Sequence, residues 1–330
     1  MTADLLVCPG CRTHSTVDGE VRIDVRTLDR AGETLICECG RRYPIVDELP
    51  ILMADSSAFL RNEIAAILER DLAPSLAQLL VETQPDDAAY PRLLEHLSIY
   101  LDAHWGDRAK PAADGPGAGF GMQPLVDKIA ARASVRVGAA VELGCSAGRI
   151  LAELADGADR VVGVDLQFGV LRRAKKLLAG ERVAFNRRMA GRHYTIAQLT
   201  GRRAEGVSLI CGDALDPPLV PGVFDRVVAL NVLDSVRSPR QLLAVMHGLC
   251  KRGGELILSS PYNWQSNVVD DAERALFGDN PAKGLTSLLR GGDLGARYEI
   301  EDEAELAWTL RRDSRSAVAY ATHYVRARKL

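Results

Sequence analysis

At 330 residues the chain is long enough for about two domains and a substantial core. Its 47% hydrophobic and 26% charged residues are ordinary for a soluble protein, and a formal net charge of −3 gives no general reason to expect nucleic-acid binding. No run approaches the ~20 apolar residues of a membrane helix, and Met1-Thr2-Ala3-Asp4 is not the basic start of a secretion signal, so the chain reads as cytoplasmic, with no membrane partner.

Seven cysteines, an odd number in a chain without an export signal, argue against a disulfide framework. Cys145, Cys211 and Cys250 sit in apolar runs and read as small core residues. The other four are paired, as Cys8-Pro9-Gly10-Cys11 and Cys37-Glu38-Cys39-Gly40, on either side of a short strand-rich segment. Four soft ligands in this order suit a tetrahedral zinc ion, and a sphere closed by four thiolates is structural rather than catalytic. Residues 1–54 are therefore expected to form a zinc ribbon whose folding depends on its metal. His14 is a substitute ligand by position, although an exposed histidine explains it more simply.

Residues 55–120 read as a helical cap and linker. Phe59, Ile64, Ile67, Leu68 and Leu72 recur at helical spacing until Pro74 breaks the run. A second helix falls near 76–81, and a third carries Leu93, Leu94, Leu97 and Tyr100. The Pro- and Gly-rich stretch 111–119 reads as a flexible linker.

From 121 to 330 strand and helix patterns alternate. Apolar runs at 137–143, 161–165, 207–211, 224–230 and 255–259 suit buried parallel strands, with helices at 148–154, 170–178 and 239–249 between them. This alternation predicts an α/β, doubly wound, mostly parallel sheet that binds ligands at the carboxyl ends of its strands. The tail at 298–301, 308–312 and 320–326 predicts an antiparallel hairpin on the sheet edge, for seven strands in all.

The first of these strands runs into Glu142-x-Gly144-x-Ser146-x-Gly148, and the second ends in Asp165, 21 positions after Gly144. That offset is close to the roughly 20 residues at which a nucleotide-binding βαβ unit presents a carboxylate to a ribose. A dinucleotide fingerprint would need glycine in place of Ser146 and Arg149, and no phosphate-binding G-x-x-x-x-G-K-[ST] is present. An adenosine cofactor without phosphates fits this turn. Asp213, in Cys211-Gly212-Asp213-Ala214-Leu215, closes the third strand, where it can accept from an adenine amine.

The run from Val141 to Gly254 resembles the class I S-adenosylmethionine-dependent methyltransferases. It carries the glycine motif, the ribose acid, Gly212-Asp213-Ala214, then Phe224-Asp225-Arg226-Val227-Val228-Ala229-Leu230-Asn231 and Lys251-Arg252-Gly253-Gly254-Glu255, in that order. Ser146 stands where many members have glycine. The resemblance implies that S-adenosylmethionine is the cofactor, with Glu142, Gly144, Cys145, Ser146 and Gly148 around its methionine end. It places Asp165 on the ribose, Asp213, Ala214 and Leu166 around the adenine, and Asn231 beside the methyl group. Asn231 can also be read as a turn residue capping the next helix. In the first domain, Arg41-Arg42-Tyr43-Pro44-Ile45-Val46-Asp47-Glu48-Leu49-Pro50-Ile51-Leu52 resembles the zinc-ribbon subunit that activates certain tRNA and translation-factor methyltransferases, here fused to its enzyme. That implies a structural zinc held by Cys8, Cys11, Cys37 and Cys39.

Ser259-Ser260-Pro261-Tyr262-Asn263-Trp264 follows the fifth strand at the edge where an acceptor belongs, so Tyr262, Asn263 and Trp264 join Asn231 as catalytic candidates. The segment is similar to the methyltransferase domain of ovothiol-type synthases, which implies a nitrogen acceptor, an amine or imidazole of a small molecule or peptide. No histidine or acid stands out as a dedicated base, which also suits nitrogen. The alternative acceptor is RNA, through a basic cluster of Arg172, Arg173, Lys175, Lys176, Arg182, Arg187, Arg188, Arg192, Arg202 and Arg203. A non-enzymatic scaffold is a third reading, against which Asp165 and Asp213 stand. A homodimer is left open.

Overall fold

The computed structural model describes residues 3–17, 20–69, 72–118 and 121–330. The N-terminal region is a stack of short strands. β1 (Thr13–Val17) pairs with β2 (Glu20–Asp24), and β3 (Asp29–Ala31), β4 (Thr34–Ile36), β5 (Arg42–Val46) and β6 (Leu49–Pro50) form a second antiparallel sheet. The turn from β5 to β6 is Asp47-Glu48, both at positive φ (50° and 59°), the backbone of a tight two-residue hairpin.

Three helices follow. α1 (Ser56–Ile67) starts at Asp55, whose side chain accepts from the Ala58 N–H at 2.9 Å, and ends at Ile67. The apolar spacing continues to Leu72, so the helix is shorter than its pattern. α2 (Pro74–Glu82) and α3 (Ala89–Trp105) complete the cap. A two-residue strand, β7 (Ala109–Lys110), and α4 (Gln123–Ala130) lead into the main sheet. Of the expected linker, residues 111–118 contain no helix or strand, and Gly119 lies outside the described residues.

The main sheet is built from β8 (Val137–Leu143), α5 (Arg149–Leu154), β9 (Ala158–Asp165), α6 (Phe168–Leu178), an antiparallel pair β10 (Arg182–Ala190) and β11 (His193–Thr200), β12 (Val207–Cys211), β13 (Phe224–Leu230), α7 (Pro239–Leu249), β14 (Cys250–Ser260), α8 (Asp271–Ala275), α9 (Pro281–Gly291), β15 (Tyr298–Arg311) and β16 (Ala317–Lys329). Its order is β12-β9-β8-β13-β14-β16-β15. The first five strands run parallel, and β16 and β15 close one edge antiparallel. This is the expected doubly wound seven-stranded α/β sheet, with its switch point between β8 and β13.

The pair β10–β11, extended by β7, was not anticipated. Val183, Phe185 and Arg187 alternate inward on β10, but Arg187, 2% exposed, breaks the apolar period. It is buried because Asp102 of α3 meets it at 2.7 Å and Arg311 of β15 meets the same carboxylate at 3.3 Å. This ion triad ties cap, hairpin and sheet edge together.

The opposite edge, β12, is covered by the N-terminal region. Ile51 bridges Cys211 in parallel, the Leu52 N–H donates to the Cys211 carbonyl at 2.9 Å, and Leu6 bridges Leu219. Asp47 and Glu48, projected by their turn, meet Arg172 and Lys175 of α6 at 3.1 and 2.9 Å, and Arg12 meets Asp216 at 2.5 Å. An exposed sheet edge is thereby paired and closed.

Candidate active site

Three acids end three neighbouring strands of the parallel sheet: Glu142 on β8, Asp165 on β9, and Asp213 just past β12. The loop after β8 turns through Gly144 (φ 76°), Ser146 (φ 46°) and Gly148 (φ 78°). At Gly144 a β-carbon would lie 2.5 Å from Val232 Cγ2, so only glycine lets the loop pass the β13 end this closely. The Gly144 and Cys145 N–H groups donate to the Val164 carbonyl at 2.8 and 3.1 Å.

Asp165 is held by the turn it faces. Its two oxygens accept from the Ser146 and Gln167 N–H groups, each at 2.8 Å, which aims the carboxylate across the crevice. Burial nevertheless raises its pKa. Asp213 accepts from the Leu215 N–H through one oxygen at 2.8 Å. Glu142, 2% exposed, has no partner for Oε2, and burial with Asp165 beside it holds its carboxyl well above the usual range.

These acids open into one cavity of about 340 Å³. Of the residues expected to hold the cofactor, Glu142, Gly144, Ser146, Asp165, Leu166, Asp213, Ala214 and Asn231 line it. Cys145 and Gly148 do not: Cys145 is fully buried in the core beneath the loop, and Gly148 packs toward Leu178 and Ala174 of α6.

The sequence predicts a helical cap, but not which of its residues reach the cavity. His96, Tyr100 and His104 of α3 and Trp308 of β15 line it. The first three stand at i, i+4 and i+8, one stripe of a helix, and that spacing was the available signal. Trp105, the next residue, donates from Nε1 to the Ala147 carbonyl at 2.8 Å and seats the helix on the glycine loop. Among the described residues no lysine or arginine lines the cavity.

Asn231 takes a left-handed backbone (φ 56°) that asparagine tolerates, and its side-chain Oδ1 accepts from Ser259 Oγ at 2.9 Å. It does not cap the following helix: Ser238 does, accepting from the Gln241 N–H. Tyr262, Asn263 and Trp264 are not among the residues lining the cavity. Trp264 packs on Phe277 with ring centroids 5.3 Å apart, and the Asn263 N–H donates to buried Asp234 at 2.8 Å. The Tyr262 hydroxyl lies 2.8 Å from His323 Nδ1, whose Nε2 is 3.0 Å from Glu303.

The expected basic cluster is largely consumed by ion pairs. Arg172 and Lys175 hold the N-terminal region, Arg173 meets Glu69, Arg187 meets Asp102, Arg188 meets Glu95, Arg192 meets Asp86, Arg202 meets Glu153 and Asp156, and Arg203 meets Glu205. Lys176 is also engaged.

Away from the cavity, the sulfurs of Cys8, Cys11, Cys37 and Cys39 all lie within 4.8 Å of one another, with Cys8–Cys39 at 4.0 Å and Cys11–Cys37 at 3.8 Å. A tetrahedral zinc with Zn–S bonds of about 2.3 Å places its sulfurs about 3.8 Å apart, so the four residues fit that ion. Arg41 Nη1, 3.8 Å from both Cys11 and Cys39, partly offsets the charge of four thiolates. The side chain of His14 lies outside the described residues.

Residues 141–258 match a family model described as a methyltransferase domain, and residues 1–48 match one described as a Trm112p-like protein. No curated protein matches the chain. Among solved structures, the N-methyltransferase NodS of Bradyrhizobium japonicum with S-adenosyl-L-homocysteine is similar at 17% identity and TM-score 0.42, covering 66% of this chain and 89% of that one. A Haloferax volcanii complex of the Trm112 methyltransferase activator with a methyltransferase is similar at 14% identity and TM-score 0.42, covering 76% of this chain and 96% of that one. The glycine loop, the strand-end acids and the matched domain make this chain an S-adenosylmethionine-dependent methyltransferase with a Trm112-like N-terminal region. No helix among the described residues is long and apolar enough to cross a membrane.

Proposed function

We propose that the enzyme moves the methyl group of S-adenosylmethionine to an uncharged nitrogen, an amine or imidazole, of a small molecule or peptide. The observation that carries this reading is the electrostatics of the cavity: Glu142, Asp165 and Asp213 line it and, among the described residues, no lysine or arginine does. Such a wall favours a cationic sulfonium nucleoside and a neutral or cationic acceptor, and disfavours a phosphate-bearing one. The ion pairs that engage the basic cluster weaken the RNA reading further, since arginines bound to acids are not free to displace counterions.

The methyl of a sulfonium is already activated, so the protein's work is alignment and exclusion of water. Asp165, fixed by two backbone N–H groups, orients the ribose. Asp213, with one oxygen committed to Leu215, has the other for the adenine. Asn231, held by Ser259 at the β13 end, borders the reacting centre. Tyr262, Asn263 and Trp264 act from the loop behind it, shaping the acceptor side. The four cysteines hold a structural zinc, which supplies folding energy and no chemistry. Residues 1–54, 55–120 and 121–330 act as ribbon, cap and catalytic domain.

The test offers the zinc-loaded protein S-adenosylmethionine labelled on its methyl, with a small-metabolite extract, total RNA and total protein in separate reactions. Label is expected in the small-molecule fraction, with histidine-derived imidazoles the first pure acceptors to try. Label in RNA instead would overturn the acceptor assignment.

A further inference from the structure

Three residues on the wall of the cavity carry a buried polar atom without a protein partner, Glu142, His104 and Trp308, and two of them are more than nine-tenths buried. One is Glu142, 2% exposed, with Oε2 unpaired; the other is His104, 8% exposed, with Nδ1 unpaired. Unpaired buried polar atoms are costly, and both of these belong to residues that line the same cavity. Both belong to its glycine-loop end. Glu142 precedes the loop, and His104 is neighbour to Trp105, whose indole is bonded to the loop at Ala147.

The rest of the stripe agrees with this placement. Burial raises the pKa of Tyr100 first, then Tyr320 and Asp165, so Tyr100 lies within electrostatic reach of Asp165. Eight residues of helix rise about 12 Å, and two strand spacings cover about 10 Å. α3 is thus long enough to run over all three strand ends with His104 above the glycine loop.

The amino-acid end of the cofactor is a zwitterion, and the two groups divide it. A buried carboxylate calls for a cation, so Glu142 faces the ammonium. Burial and the Arg149 guanidinium push His104 down to about 3, which keeps its imidazole neutral. The field of Arg149 that opposes a proton there equally favours a carboxylate. A neutral imidazole carries its proton on either nitrogen and can donate from it.

We propose that His104 is a cofactor-positioning residue of the cap, donating a hydrogen bond to the carboxylate of S-adenosylmethionine while Glu142 takes its ammonium. The assignment rests on the cofactor reading given above, and it makes the roof as well as the sheet part of the cofactor site.

The experiment is calorimetric titration of the zinc-loaded protein with two ligands: S-adenosylhomocysteine, and 5′-methylthioadenosine, which lacks the amino acid. His104→Phe keeps a planar ring and removes both nitrogens; His104→Gln keeps a donor. The expected result for His104→Phe is a loss of about tenfold or more in S-adenosylhomocysteine affinity, as for one hydrogen bond to a charged group, with 5′-methylthioadenosine unchanged. His104→Gln should recover most of the loss. Equal weakening of both ligands, or no weakening of either, overturns the proposal. If His104→Phe does not fold, the wild-type protein decides: decarboxylated S-adenosylhomocysteine should bind more weakly than the intact ligand, and equal affinity overturns the proposal. A wild-type protein that binds neither nucleoside contradicts the cofactor reading itself.

Discussion

The floor and the roof of the cavity are made in different ways. The floor is three acids at the ends of β8, β9 and β12, each delivered by a continuous apolar strand and a turn a few residues long. The roof is a stripe of α3 and one residue of β15, about 200 positions apart in sequence and joined only by tertiary contacts. A floor can be read from local sequence because strand, turn and acid are adjacent. A roof cannot, because nothing in α3 itself states what it will face.

The roof depends on a latch that the floor does not need. Asp102 of α3 is buried between Arg187 of β10 and Arg311 of β15, whereas two of the floor acids, Asp165 and Asp213, are positioned by backbone N–H groups of the strand-end turns. The floor has a separate support: the N-terminal region extends the sheet at Cys211, two residues before Asp213.

The largest expected effect comes from removing that support. Cys8→Ser should abolish the bound zinc, about one per chain by metal analysis, and with it the fold of residues 1–54, because a metal that assembles such a small region supplies its folding energy. Affinity for S-adenosylhomocysteine should fall as β12 loses its partner. Retained structure without metal would separate ribbon from floor. Next is the latch. Asp102→Ala leaves two buried guanidinium groups without their acid and should cost about 3–5 kcal/mol in denaturant unfolding. A change below about 1 kcal/mol would show that the roof is not latched there.

The smallest effect sharpens the contrast through pH. The pKa of Glu142 is raised in the folded, ligand-free protein by burial first and Asp165 second. An acid whose folded pKa is raised contributes stability below its unfolded pKa that is lost as pH rises through the folded one. Glu142→Gln should therefore raise the thermal midpoint of the free protein, increasingly so from acid to alkaline pH, while weakening S-adenosylhomocysteine binding. A midpoint unchanged across that range would mean that Glu142 carries no buried charge.

What the sequence showed and what it hid follow the same physics. The order Glu142, Gly144, Asp165, Asp213 and Asn231 was legible, as were the parallel strands, because buried parallel strands are continuous apolar runs. The cysteine spacing was legible because four thiolates converge in the fold as their pairing suggested. The hairpin of β10 and β11 was hidden because Arg187 occupies a core position only in company with Asp102 and Arg311. The cap was legible as helices, but the site role of its stripe was hidden: Tyr100 reads as one more position of the apolar pattern, and His96 and His104 are polar enough to pass for a solvent face. The ion pairs of the basic cluster were hidden because their acids, Asp47, Glu48, Glu69, Glu95 and Asp102, are distant in sequence.

Calorimetric titration of Asp165→Ala with S-adenosylhomocysteine tests the central claim most directly. Asp165, bonded to the glycine loop at Ser146, is the proposed ribose acid, so the account predicts loss of about 100-fold or more in affinity, roughly 2.7 kcal/mol, in a protein whose circular dichroism is that of the wild type. Wild-type affinity in that variant would contradict it, and the cofactor would have to bind elsewhere than across the three strand ends.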